Sequence, residues 1–178
     1  MHDQPRYDPF AASPAFADGR AMRKPPAHTV SREAPVDVEV FTGRRVDGQG
    51  WTAEIPAAVI REARGMQSLL ERGQERYNIS CTPCHGYDGV GKGAAVLKAK
   101  VAALQPPSLH EARLRRMPDG QLFATITHGI RNMPAYGHSV SNADRWAIVA
   151  YVRALQLHQS GQGPNLRQRK VNQPKENE

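Results

Sequence analysis

Apolar residues recur at helical spacing in three stretches of this chain, and the rest is polar or punctuated by proline and glycine. Beginning near Pro56, Met66, Leu69, Leu70, Gly73 and Tyr77 fall at i, i+3, i+4, i+7 and i+11, an apolar stripe with the period of an amphipathic helix. In "MPDGQLFATITHGI", Pro118 suits the first turn of a helix, Leu122, Phe123 and Ile126 make its inner face, and Gly129 fits its stop. A third helix starts at Ser141, with Asp144 three residues on in a capping-box-like arrangement. It carries Trp146, Ala147, Ala150, Tyr151, Ala154 and Leu155 on one face to about Leu157. Between them, "DGVGKGAA", "QPPSLH" and "RNMPAYGHSV" read as loops, with Pro106 and Pro107 fixing the backbone of the second.

The flanks behave differently. Residues 1 to 58 hold no sustained period of 3.6 or 2, and "RKPPAHT" and "DGQGW" read as turns. "PRYDPFAASPAF" spaces aromatics and prolines as an extended segment draped over a partner would. Residues 158–178 form a polar tail. The expected organisation is therefore an extended partner-binding arm over 1–58, a helical domain over 59–157 and a tail over 158–178, with no internal repeat.

Composition supports a small core with extended appendages. Aromatic residues are 6% of the chain and the mean hydropathy is −0.60, thin for a core spanning all 178 residues. The formal charge is +7, from 24 basic and 17 acidic residues. That balance suits an acidic partner or anionic lipid heads, or an ordinary solvated surface. The basic residues are scattered and no nucleic-acid-binding signature accompanies them, so nucleic acid is not an expected partner. No stretch approaches the length of a transmembrane helix, and "MHDQPRYDPF" lacks the apolar region of a signal peptide.

The chemistry concentrates in "RYNISCTPCHGYDG", residues 76–89, which holds both cysteines of the chain. A zinc site asks for four N/S ligands, and no second pair follows at suitable spacing. A thioredoxin-like dithiol would follow a strand in a βαβ unit, whereas these flanks are helical and polar. C-x-x-C-H is the attachment signature of a c-type haem. On one helical turn Cys81 and Cys84 share a face, and His85 points the same way. The two thiols then form thioethers with one haem while the imidazole binds its iron.

Five methionines bear on the other face of that iron. Met1 and Met22 lie in the arm, and Met66 lies on the first helix's stripe. Met117 and Met133 both precede proline, so local sequence does not separate them. Met133 stands in a loop between helices, 48 residues beyond His85 (133 − 85), whereas Met117 abuts a helix start. Loop placement favours Met133; Tyr136, close by, joins the cofactor-binding set. His128 and His138 are rival axial ligands, with surface or capping roles as the plainer alternative; His2, His28 and His110 are not candidates. An enzyme of the peroxidase sort would need an open iron, which a methionine ligand argues against.

The helix leading into "CTPCH", the proline loop, the methionine loop and the final aromatic helix together resemble class I cytochrome c domains over about residues 65–157. The resemblance implies an all-α fold holding one covalent haem c. It also implies that the Pro107 carbonyl accepts a hydrogen bond from the far nitrogen of His85 and that Leu109 lines the haem. Gly73 and Tyr77 would cross Trp146 and Tyr151 where the first and last helices pack.

A narrower likeness lies in "MHDQPRYDPF", "FADGRAMRKPP" and "DRWAIVAYVRALQ", which are similar to the mono-haem cytochrome c subunit, the E subunit, of bacterial alternative complex III. That implies electron relay within or out of a membrane quinol:acceptor oxidoreductase, on the periplasmic side of the cytoplasmic membrane. The implied partners are the other subunits, a multihaem cytochrome among them, and a soluble carrier or terminal oxidase. Members of that family are typically anchored through a lipidated N-terminal cysteine. Both cysteines here belong to the haem motif, so membrane association is expected through partners or an anchor not seen in this sequence. A haem attached outside the membrane requires export, which points to a removed leader or a truncated start. The rival readings are a free-standing periplasmic shuttle and, from the enzyme class, a small haem peroxidase or sensor.

Overall fold

In a computed structural model of the chain, residues 7, 11–21, 23, 29, 37–99 and 105–161 are described. Expectations for Met1, Met22, His2, His28 and residues 162–178 lie outside them. The described residues form helices without strands: α1 Val38–Thr42, α2 Ala57–Glu62, α3 Met66–Ser80, α4 Thr82–His85, α5 Ala94–Ala99, α6 Ala112–Arg115, α7 Asp119–His128 and α8 Asn142–Gln159. The domain is all-α, as the periodicity implies. Two units divide the chain, residues 1–35 and 36–178. In the first, Ala12 bridges to Arg20, Ser13 is buried, and the exposed Phe16 ring carries the Arg23 guanidinium at 4.2 Å.

The second unit is organised by the crossing of α3 on α8. Leu69, Gly73 and Tyr77 are the buried positions of α3. A Cβ on Gly73 would collide with the Ala147 carbonyl of α8, so glycine is what lets the two backbones touch. One turn on, the Tyr77 and Tyr151 rings meet at 5.3 Å. Ser141 caps α8, its hydroxyl accepting from the Asp144 N–H at 3.1 Å. Behind it Trp146, fully buried, stacks on Phe123 of α7 at 4.4 Å. Burial of side chains this large stabilises a domain by roughly 1.5–3 kcal/mol each, so the Phe123–Trp146 pair anchors the core.

Several expectations are corrected here. The pattern starting near Pro56 is two helices, because Arg64 (φ 63°) and Gly65 (φ 120°) turn the chain between α2 and α3. Met66, the first residue of α3, is 43% exposed and lies off the buried stripe. Short helices α5 and α6 occupy segments with no clear helical period, and Pro118 caps α7 from just outside it. The last helix runs on to Gln159.

The largest correction concerns the arm. Residues 37–58 belong to the compact unit, which begins at residue 36 and not at 59. Asp37 caps α1, and the Val40 carbonyl accepts from the Trp146 indole N–H at 2.7 Å. Thr52 N–H and hydroxyl both donate to the Gly43 carbonyl, at 2.9 and 2.8 Å. The Gly120 N–H donates to the Thr52 carbonyl at 3.0 Å. Gly43 and Gly120 lie backbone to backbone in a seam where neither position has room for a side chain. A buried indole N–H needs an acceptor, and residue 40 supplies it from outside the region where the sequence places the domain.

Candidate haem site

The C-x-x-C-H motif is built where α3 ends. Cys81 is the C-cap of α3 and donates its N–H to the Tyr77 carbonyl at 2.8 Å. The chain then turns once more as α4, with Pro83 in its first turn. Cys84 and His85 N–H groups both donate to the Cys81 carbonyl, at 3.2 and 2.9 Å. That single turn sets Cys81, Cys84 and His85 on the shared face expected from their spacing. The Tyr77 hydroxyl donates to the Gly86 carbonyl at 2.8 Å, fixing the exit of the turn. Further on, Gly93 and Gly91 N–H groups satisfy the Cys84 and His85 carbonyls, each at 2.9 Å.

No disulfide joins the two cysteines; Cys81 is half-buried and Cys84 exposed. Burial, with charge on Cys84 adding to it, pushes the Cys81 thiol up to about 12. A reactive dithiol shows the opposite shift. Zinc fares no better: among the described residues no group of three or more His, Cys, Asp and Glu side chains is placed to hold a metal ion. Burial lowers the His85 imidazole below its ordinary value, which favours the neutral form that ligates iron.

The expected partner of that ring is not in place. His85 Nδ1 is buried without a hydrogen-bond partner, and Pro107 is exposed. The bond to the Pro107 carbonyl is therefore not made here. The neighbouring loop is nonetheless drawn in: a Cβ on Gly91 would strike the Pro106 carbonyl, and the Leu109 N–H donates to the Gly89 carbonyl at 2.8 Å.

Leu109, Met117, Met133, Tyr136 and Cys81 all lie half-buried against the same apolar core. Burial raises the Tyr136 hydroxyl, and charge on Cys81 and Cys84 adds to it. Met133 occupies a loop closed by paired backbone bonds. Ile130 and Met133 exchange N–H···O bonds at 3.0 and 2.9 Å, while Tyr136 and Gly137 donate to Ile126 and Thr127 at 2.9 and 3.1 Å. Gly129, at φ 74° and ψ 173°, lies so close beneath it that a Cβ there would be 2.5 Å from the Met133 carbonyl. His128 and His138 are exposed, in keeping with surface roles.

The sequence reading missed the polar groups that hold these segments. Arg153 of α8 pairs with Asp119 at 2.6 Å, reaches the Leu114 and Arg115 carbonyls at 3.2 Å each, and also donates to the Met117 carbonyl. Gln156 donates to the Leu109 carbonyl at 2.7 Å. Arg145, 8% exposed, donates to the Thr127 hydroxyl at 2.5 Å and lies 4.8 Å over the Phe123 ring. The signal was present: Arg145 and Gln156 fall at i and i+11 with buried Val149 and Val152 at i+4 and i+7 between them. Polar residues on a buried stripe mark groups with partners to find.

Residues 68–152 match the family model described as cytochrome C oxidase, cbb3-type, subunit III. No curated protein matches the chain. The match and the helical fold support a class I, mono-haem cytochrome c domain. It carries one covalent haem c with its iron, and its work is electron transfer by that haem. The residues present fit this group: two thiols and an imidazole on one turn, and a half-buried apolar flank with two methionines.

Proposed function

We propose that the protein is the mono-haem relay of a membrane quinol-oxidising complex of the alternative complex III kind, acting on the periplasmic side of the cytoplasmic membrane. Cys81 and Cys84 hold the haem, His85 binds its iron, Met133 is the sixth ligand, and Leu109 and Tyr136 flank it, with Pro107 in the loop alongside. The iron supplies a one-electron carrier. The chain supplies the rest: α3, packed on α8, positions the motif, burial favours the neutral form of His85, and an apolar flank lies alongside.

The observation that carries the complex is the chain outside the matched region. Residues 37–56 are sewn into the domain yet leave Val38 and Phe41 of α1 and the nearby Val46 exposed, and Tyr7 and Phe16 are exposed in the preceding unit. It is the added chain itself, packed onto the domain ahead of the matched span, that supports subunit contacts over a free shuttle. Among the described residues no helix is long and apolar enough to cross a membrane. The attachment we propose runs through partner subunits or a lipid anchor.

Gentle solubilisation of native membranes, native electrophoresis, haem staining and mass spectrometry test this. Migration in a large assembly with a multihaem cytochrome is the expected result. Migration near the chain's own 19.6 kDa would replace the complex with a free-standing shuttle.

A further inference from the structure

We propose that Arg145 is the positioning residue for Met133, fastening the base of the 127–140 loop so that the sulfur is held on the iron against competing ligands. The inference rests on Met133 being the sixth ligand. Arg145 is almost completely buried, and among the described residues no carboxylate forms an ion pair with it. A buried cation with no counter-ion is costly, and an apolar residue of similar volume would serve stability as well or better. What Arg145 touches accounts for its retention.

Its guanidinium spans the two ends of the methionine loop. Nη1 donates to the Thr127 hydroxyl at 2.5 Å, at the outgoing end. Nε donates to the Ser141 carbonyl at 3.4 Å, at the returning end. A Cβ on Gly137, between them, would lie 3.6 Å from Nη1. The Thr127 hydroxyl is itself oriented, since it donates to the Phe123 carbonyl at 2.8 Å and so turns a lone pair toward the arginine. The Phe123 ring supports the planar group from below. Only a planar fork makes these contacts together; a lysine reaches one of them. The Gly137–Thr127 backbone bond closes the loop at this clamp, four residues from Met133.

The test uses the full-length, haem-loaded ferric protein and free imidazole as the competing ligand. Arg145→Lys and Thr127→Val each remove one side of the clamp; Thr52→Val loosens the remote Gly43 seam as a control for general destabilisation. Imidazole is expected to bind at least ~10-fold more tightly to both clamp variants, a shift worth about one decade of binding constant, with the iron–sulfur charge-transfer absorption lost in parallel. Thr52→Val should leave its affinity unchanged. Unchanged imidazole binding in Arg145→Lys and Thr127→Val would overturn the proposal, as would an equal gain in Thr52→Val. Met133→Ala separates the two readings. If it abolishes the absorption while the clamp variants behave as wild type, only the clamp is wrong; if the absorption survives it, the ligand assignment falls and the clamp with it.

Discussion

The two segments that carry candidate axial methionines are held by opposite ends of the same helix, in different ways. Residues 109–119 are fixed by the C-terminal half of α8, through an arginine whose charge is met by Asp119 and whose remaining donors are taken by Leu114, Arg115 and Met117 carbonyls. Residues 127–140 are fixed by the N-terminal turns, through Arg145 and neutral acceptors, and by their own backbone pairs. The first arrangement secures a corner between α6 and α7. The second holds a loop, and the one soft donor on it, with neutral acceptors behind it. An ion pair secures the first segment, and hydrogen bonds to neutral oxygens secure the second.

The sharpest way to break this contrast is to remove each methionine in turn. Met133→Leu should abolish the iron–sulfur charge-transfer absorption and lower the reduction potential, whereas Met117→Leu should change neither; redox titration with optical spectra reads both. The reverse result would hand the ligand role to the corner. Next in size, Gly129→Ala places a Cβ at φ 74° against the Met133 carbonyl. The strain and forced loop movement should cost about 3 kcal/mol and take the absorption with it, measured by denaturant unfolding alongside spectra.

Asp119→Asn leaves Arg153 without its counter-ion. Both side chains are mostly but not wholly buried, so the loss should be about 2 kcal/mol, below the range for fully buried pairs. The iron–sulfur absorption should survive, since the other end of α8 is untouched. The smallest effect belongs to Asp144. Burial alone would raise its carboxyl, but hydrogen bonds from Arg72 and Ser141 outweigh this and hold it below the usual range. A depressed carboxylate contributes stability above its unfolded value, near pH 4, and loses it as pH falls through the lower folded value. Asp144→Asn should therefore cost about 0.5–1 kcal/mol at neutral pH and flatten the fall in stability below pH 4, with little effect on the absorption.

Much of this site was legible in the sequence, for physical reasons. The spacing of Cys81, Cys84 and His85 fixes their common face once a single helical turn is assumed, and the turn is there. The stripes over 66–77 and 146–155 marked the two long helices, while their crossing at Gly73, Tyr77, Trp146 and Tyr151 was legible only through the likeness to class I cytochrome c domains. Short helices α5 and α6, at six and four residues, carry too few turns to leave a period. The Arg64–Gly65 break was invisible because stripe continuity says nothing about a positive φ at a non-glycine residue. Long-range partners were hidden altogether. Nothing local to Val40 announces an indole more than a hundred residues away, and the polar clamps of Arg145 and Arg153 depend on carbonyls whose direction only the fold decides.

The seam between Gly43 and Gly120 has a consequence for where this protein can be divided. A fragment limited to the matched span, 68–152, would keep every proposed haem ligand and lose the carbonyl that receives the Trp146 indole hydrogen. It would also bare the glycine face of α7, a shallow notch shaped for another backbone and for nothing bulkier. Such a fragment would hold its haem on a domain with an open side, ready to accept the residue 37–56 peptide supplied separately as a second chain. A self-sufficient version of this cytochrome needs residues 37–56 as well as the matched span.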